Sequence, residues 1–280
     1  MKLARIGAPG AERPVVSGTD GIWRELAPLL DGADLTPATL ATALAARDLG
    51  SLPEVTGNPE RFGPPLAAIG KIVCIGLNYR QHAAETGAEV PAEPIVFLKT
   101  PDTVVGPDDE VLIPRASVKT DYEVELAVVI GREARYLPDA QSAAACVAGY
   151  AISNDVSERE FQLERGGQWD KGKNCETFNP LGPWLLSADE VPDPHSLGLR
   201  LWVNGELRQD GGTHDMIFGV HEIVRYLSHF MTLRPGDIIN TGTPAGVALG
   251  RPETPYLRPG DVMEVEIDGL GRQRQTLGKA

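Results

Sequence analysis

Asp121-Tyr-Glu-Val-Glu-Leu-Ala-Val-Val-Ile130 is the stretch from which the rest of the chain can be read. In a strand, alternate residues share a face. Tyr122, Val124, Leu126, Val128 and Ile130 then make one apolar face, and Glu123, Glu125, Ala127 and Val129 make the other. Two carboxylates, two residues apart, project the same way from an otherwise apolar strand. Burying them bare would be very unfavourable, and their repulsion would push one towards protonation. Either that face is solvated or a cation sits between them. The continuation of the face as Ala and Val weakens the solvated reading.

Moving downstream, Gly149-Tyr-Ala-Ile-Ser153 is a second short apolar strand, and it ends in Asn154-Asp155. An acid at that position can converge on Glu123 and Glu125 as a third oxygen ligand. Three carboxylates with water in the remaining positions suit Mg²⁺ or Mn²⁺. Spacing alone leaves the metal and surface explanations both open.

Upstream, the apolar run Lys71–Gly76 leads into Gly76-Leu-Asn-Tyr-Arg-Gln-His-Ala-Ala-Glu85. His82 and Glu85, three apart, are neighbours on one face of the helix expected there. A carboxylate beside an imidazole orients it and raises its basicity, as a general base requires; an ordinary surface pair has the same spacing. After Asp155, helical spacing would place Arg159 and Gln162 on one face. Arg suits a carboxylate and Gln a carbonyl, while Lys171 or Lys173 could stabilise an enolate. Each of these charges could equally lie on a solvated loop. Asn240-Thr-Gly-Thr-Pro-Ala-Gly246 resembles a phosphate cradle but lacks the lysine of GxxxxGK[ST]. Its amides and hydroxyls could instead grip a substrate carboxylate.

Further strands are expected at Pro94–Leu98, Leu199–Val203 and Val262–Ile267, and an amphipathic helix over Val220–Phe230. Two copies of Leu-Arg-Pro-Gly-Asp, at 233–237 and 257–261, read as turns feeding strands. Residues 1–69 look different: helix-like spacing around Gly21–Leu30 and Pro37–Asp48, with Thr36 as an N-cap, then a Pro/Gly-rich passage. They are expected to form a small α/β domain and linker ahead of a strand-rich domain over 70–280, the whole being α+β with mixed sheets.

The 280 residues carry a net charge of −13, which argues against a nucleic-acid partner. The 31 glycines and 23 prolines point to many turns between strands. No apolar run approaches the roughly 20 residues that cross a bilayer, and no export signal precedes the first strand. Cys74, Cys146 and Cys175 lack CxxC spacing and read as reduced thiols, hence a cytoplasmic expectation. His221-Glu222 begins like HExxH, but Arg225 stands where the second histidine must be, and neither GxSxG nor GxGxxG is present.

Seven ordered motifs together resemble the fumarylacetoacetate hydrolase superfamily: GLNYRQHAAE (76–85), EPIVFLKTP (93–101), VVGPDDEVLIP (104–114), DYEVELAVVIG (121–131), NDVSERE (154–160), RGGQWDKGKNCETFNPLGPW (165–184) and NTGTPAGV (240–247). The resemblance covers roughly residues 70–275. It is greatest to bacterial members described as ureidoglycolate lyase or 2,4-diketo-3-deoxy-sugar-acid hydrolase. It implies a mixed β-roll, a homodimer and one Mg²⁺ or Mn²⁺ held by Glu123, Glu125 and Asp155. By the same resemblance His82, Glu85 and Lys173 are catalytic, with Lys173 chosen over Lys171, and Arg159, Gln162, Thr243 and Tyr79 bind substrate. The His82–Glu85 helix would act as a lid. The separate distal glutamate that orients the histidine in fumarylacetoacetate hydrolase proper has no match, which leaves that role to Glu85. The implied reaction is hydrolytic C–C cleavage of a small 2,4-dioxo acid through an enolate. A decarboxylase, a tautomerase or isomerase, a ureidoglycolate-type lyase and a catalytically silent sugar-acid binder are the alternatives. Loops near Glu89–Pro91, Thr213–Phe218 and Gly250–Tyr256 are expected to select the distal part of the substrate.

Overall fold

The strand quoted above lies at the centre of the protein. In the computed structural model, which describes residues 1–57 and 59–280, every residue from Val124 to Ile130 is buried. Tyr122, Val124, Leu126, Val128 and Ile130 enter one core with Leu199, Leu201, Val265 and Ile223. Ala127 and Val129 enter a second core with Leu3, Val16, Leu35, Ile72 and Leu185. Beyond the two glutamates that face is therefore packed into the core, and the reading of it as a half-exposed polar face fails.

In chain order, the strands of the two large sheets are β1 (Lys2–Ile6), β2 (Arg13–Ser17), β3 (Trp23–Glu25), β4 (Ile72–Gly76), β5 (Ile95–Lys99), β6 (Val111–Ile113), β7 (Val124–Ile130), β8 (Val147–Asn154), β9 (Asn179–Ser187), β10 (Gly198–Val203), β11 (Glu206–Gly212), β12 (Ile238–Asn240), β13 (Val262–Ile267) and β14 (Gly271–Lys279). The first sheet runs β3-β2-β1-β9-β8-β7-β12-β4-β5, with Val104–Val105 pairing on β9; the second runs β11-β10-β13-β14-β6. The short helices are α1 (Leu40–Leu44), α2 (Arg80–Glu85), α3 (Ala140–Ala144), α4 (Asp170–Lys173) and α5 (Val220–Leu227). Parallel β4–β12 pairing within otherwise mostly antiparallel sheets makes this a mixed α+β fold, as expected.

The N-terminal segment departs from expectation. Gly21–Leu30 is not a helix: Trp23–Glu25 pairs with β2, and only Ala27–Leu30 coils, as a 3₁₀ turn with Pro28 at its start. Edge pairing outweighs helix-like spacing over so few residues. Over Pro37–Asp48 only Leu40–Leu44 is helical, and Thr36 offers no side-chain cap; its own amide donates to Thr39 Oγ1 (2.8 Å). β1 pairs antiparallel with β9 (Lys2 opposite Leu186, Leu3 opposite Leu185), so residues 1–69 extend the main sheet and share its second core. Both Leu-Arg-Pro-Gly-Asp copies form turns leading into β12 and β13. Among the described residues, no helix is long and apolar enough to cross a membrane.

Candidate active site

Strand direction brings the acids together. β8 and β12 run antiparallel to β7, and β4 runs parallel to β12, so the start of β7 and the ends of the other three share one rim. Ser153 lies opposite Glu125, and the Asp155 amide donates to the Glu123 carbonyl (2.9 Å). Carboxylate oxygens of Glu123, Glu125 and Asp155 all lie within 4.8 Å of one another, and all three residues are buried.

Three cations surround them. Lys173 Nζ, from α4, donates to Glu123 Oε2 (2.7 Å) and Asp155 Oδ2 (2.8 Å). Lys171 instead donates to the Arg165 carbonyl (2.7 Å) and is exposed. Arg159 donates from Nε to Asp121 Oδ2 (2.9 Å), from Nη1 to Gln162 Oε1 (3.0 Å) and from Nη2 to Glu123 Oε1 (2.6 Å). The helix expected from Asp155 onward does not form. Ser157–Glu158 pairs as a short strand with Thr120–Asp121, and Gln162 then sits in a single π-helical turn, Glu160–Glu164. Arg159 and Gln162 still meet, through the fork of the guanidinium rather than through helical spacing.

The third cation, Lys99, escaped the sequence reading. Its ammonium is fully buried, paired with Asp155, and donates to the carbonyls of Val156 (3.2 Å) and Phe178 (2.7 Å). Its signal was alternation: on β5 only Phe97 and Lys99 turn inward, while Val96 and Leu98 are exposed.

These charges divide the acids. Burial would raise the Glu123 carboxyl, but the charges of Lys173 and Arg159 outweigh it and hold the group down at about 2. Glu125 has no cation in contact with it: burial, then Asp155 and Glu123, push it well above the ordinary range, against the charge of Lys173 and one hydrogen bond from the Gly242 amide (2.8 Å). Burial would lower Lys173 and Arg159, yet their acidic neighbours hold both above their usual values. Because the Glu123 carboxyl is depressed on folding, its contribution to stability is present above about pH 4.5 and is lost as pH falls towards 2. Metal-free protein should therefore lose a few kcal/mol across that window, of the order expected for a buried ion pair. Unfolding free energies measured from pH 5 to pH 2 check this, and Lys173→Met should flatten the slope.

An all-oxygen trio with one carboxylate that burial and like charge disfavour is a donor set for a hard divalent cation. The residues fit such an ion.

Facing the trio, α2 carries the histidine pair. His82 Nδ1 lies 2.8 Å from Glu85 Oε1, and Nε2 has no protein partner among the described residues. The loop after β12 does not offer its amides to a ligand as expected. Gly242 donates to Glu125, Gly246 donates to both oxygens of Glu85 (3.0 and 2.9 Å), and Thr243 Oγ1 donates to the Val124 carbonyl (2.9 Å) while accepting from Gln209 (2.8 Å). The loop thus clamps the acids in place.

His82, Glu85, Glu123, Glu125, Arg159, Gln162, Lys173 and Thr243 all line one cavity of about 520 Å³, and Asp155 lies behind it. Tyr79 does not join them. Its ring is fully buried in the main core and its hydroxyl has no hydrogen-bond partner, because its strand-like backbone bridges Met216 and turns the side chain inward. Thr213–Phe218 does not reach the cavity either. Asp215 caps the open first turn of α2 by accepting from the Gln81 amide (2.9 Å), and the Ile217 amide donates to the Asn78 carbonyl (2.8 Å). Of the other two expected loops, Leu249, Gly250 and Pro252 line the wall, and the first reaches it only through Ala88.

Mixed sheets closing over a buried acidic trio and a histidine–glutamate pair define the class of site: a β-rich cavity whose oxygen donors could hold a cation. The family described as "Fumarylacetoacetate (FAA) hydrolase C-terminal" matches residues 71–278, and the chain belongs to that family. A relative from Burkholderia multivorans, whose name says no more than hydrolase, is 51% identical over 279 residues and covers 98% of each chain. Among solved structures, fumarylacetoacetate hydrolase from Exiguobacterium antarcticum is 33% identical with a TM-score of 0.88, over 100% of both chains. A 2-hydroxyhepta-2,4-diene-1,7-dioate isomerase from Mycobacterium marinum is 33% identical with a TM-score of 0.75, covering 100% of this chain and 98% of that one.

Proposed function

We propose that this member of the family is a Mg²⁺- or Mn²⁺-dependent hydrolase that cleaves a C–C bond of a small 2,4-dioxo acid. The observation that carries the reading is His82, backed by Glu85 and with Nε2 unengaged, opening onto the same cavity as the acidic trio. A divalent ion held by Glu123, Glu125 and Asp155 would supply a Lewis acid for the substrate's carboxylate and 2-oxo oxygen.

The chain's own groups do the rest. Glu85, held by the Gly246 amide, fixes the proton on His82 Nδ1 and leaves Nε2 to take a proton from water as it adds to the C4 carbonyl. The C3–C4 bond then breaks: its electron pair passes to the C3 side as a pyruvate-type enolate, and C4 leaves as a carboxylic acid. The proton on Nε2 returns to C3. Lys173 and Gln162 stabilise the developing oxyanion. Arg159 holds Gln162 and Glu123 in position through three of its five N–H groups and keeps the other two for the substrate carboxylate.

A second reading has the M. marinum isomerase in its favour. The same site can move a proton through an enolate without water, as a tautomerase, decarboxylase or ureidoglycolate-type lyase would require. Incubating Mg²⁺-loaded enzyme with 2,4-dioxo acids, oxaloacetate and ureidoglycolate, and identifying the products, separates these. Formation of pyruvate plus a carboxylic acid supports the hydrolase; a rearranged or decarboxylated product overturns it. The resemblance that motivates this reading also carries a homodimer as a proposal, and the unpaired thiols Cys74, Cys146 and Cys175 carry a cytoplasmic location as another.

Glu85→Gln is expected to lower kcat about 10²–10⁴-fold, the usual share of a general base, with metal still bound. Full turnover in that variant would remove Glu85 from the mechanism. Gly246 sits at φ +115°, and a Cβ there would lie 2.1 Å from the Arg208 carbonyl. Gly246→Ala should shift the loop, withdraw its amide from Glu85 and lower kcat more than it raises KM. Steady-state kinetics at saturating Mg²⁺ check both.

A further inference from the structure

Beside the acids and the histidine pair, the cavity has apolar walls to which the proposed reaction gives no role. Those walls are Ile75, Phe97, Leu163, Trp169, Leu249 and Pro252. Trp169 meets Phe97 edge-on with ring centroids 5.6 Å apart, and its indole lies where a Cβ on Gly76 would come within 2.4 Å. A side chain at position 76 would therefore have to displace the indole, which glycine leaves in place as an apolar wall. Leu163, next to Gln162 in the chain, lines the cavity yet is 41% exposed, an apolar side chain with little apolar cover.

The cations that reach this space are already matched. Lys173 is taken by Glu123 and Asp155, Arg159 by Asp121 and Glu123, and His82 by Glu85. Thr86 donates its hydroxyl to the His82 and Ala83 carbonyls (3.0 and 3.2 Å). Among the described residues that line the cavity, none offers an unpaired cation. Arg251 lies between the lining residues Gly250 and Pro252, but it is not part of the wall and its Nε stands 3.8 Å from Glu85. A second carboxylate packed against these walls would find no partner in them, and a hydroxylated tail would exchange water hydrogen bonds for walls that return none.

We infer that the distal group of the substrate is a hydrocarbon, so that the enzyme takes acylpyruvates with alkyl or aryl acyl groups and discriminates against 2,4-dioxo dicarboxylates and sugar-derived acids. This rests on the reaction proposed above and narrows it. A apolar pocket of this kind gains from each added methylene, about 0.8 kcal/mol or about fourfold in kcat/KM.

The test is a kcat/KM series on Mg²⁺-loaded enzyme. It starts at 2,4-dioxopentanoate, lengthens the alkyl tail to eight carbons, adds 2,4-dioxo-4-phenylbutanoate, and includes matched acids with a terminal carboxylate or vicinal hydroxyls. The expected result is a rise of about fourfold per methylene until the cavity is full, with the carboxylate-ended acids on the order of 100-fold below hydrocarbons of equal length, as for a charge left unpaired. Leu163→Arg, which adds a cation at the mouth, should narrow that gap at least tenfold. A preference for the carboxylate- or hydroxyl-ended acids overturns the inference; loss of a carboxylate preference in Arg251→Ala would assign distal recognition to Arg251.

If none of the acids is turned over, the proposed reaction fails, but the inference is still read by competition. 2-Oxooctanoate should then displace oxalate from the Mg²⁺-loaded enzyme more tightly than 2-oxooctanedioate. Equal binding, or no binding of either, overturns it.

Discussion

In metal-free protein, Glu125→Gln is expected to raise stability by up to about 2 kcal/mol, the scale of relieving an uncompensated buried charge. The same substitution should lower divalent-metal affinity by more than the roughly 10–100-fold that loss of an outer-shell partner brings. Glu125 is the member of the trio with no cation of its own, and burial together with Asp155 and Glu123 raises its carboxyl. Glutamine keeps the shape, and its carbonyl oxygen can still accept from the Gly242 amide. The sign follows from linkage. A carboxyl raised on folding favours the folded state where it is protonated and opposes it once it must ionise there. The gain should therefore be absent near pH 4.5 and grow as pH rises. Urea unfolding with chelator present, at several pH values, measures it; a variant less stable than the parent at neutral pH would contradict the assignment of Glu125 as the strained ligand.

Asp155→Ala should do the opposite. Asp155 is fully buried and accepts from both Lys99 and Lys173. Removing it leaves two ammonium groups in the interior, Lys99 with carbonyls only and Lys173 with Glu123. Breaking a buried pair in this way costs about 3–5 kcal/mol, and metal binding should be lost with it. Lys99→Met in the Asp155→Ala background should recover part of that loss, because it deletes the uncompensated charge. Two variants of one trio, alike in losing metal and opposite in their effect on the metal-free fold, would separate ligation from charge balance. Equal shifts in the unfolding midpoint would show that the cations do not partition between the acids as described.

Much of the site was legible in the chain. Period-two alternation over 121–130 placed Glu123 and Glu125 on one side, and the end of the next strand supplied Asp155. The three-residue spacing of His82 and Glu85 survives in a six-residue helix. Each of these is a statement about neighbours along the chain. Arg159 and Gln162 meet despite a misread helix, because the short strand Ser157–Glu158 and a π-helical turn aim them as well as an α-helix would have done.

What was not legible depends on strands far apart in sequence. Lys99 finds Asp155 across 56 residues, and the Gly246 amide finds Glu85 across 161. Tyr79 and Thr213–Phe218 looked like site material and prove to be core and strap. Edge pairing with β9 draws the N-terminal strands into the main sheet, where their own composition suggested a separate unit.

The sequence, then, determined which side chains are acidic and in what order they come, and its local periodicity which of them share a face, since a residue's direction from its strand or helix follows from its immediate neighbours. Only the tertiary structure decided which cation meets which carboxylate, which glutamate is left unpaired, and that the wall beyond them is apolar. Those outcomes depend on burial and on the register between strands, which no single segment contains.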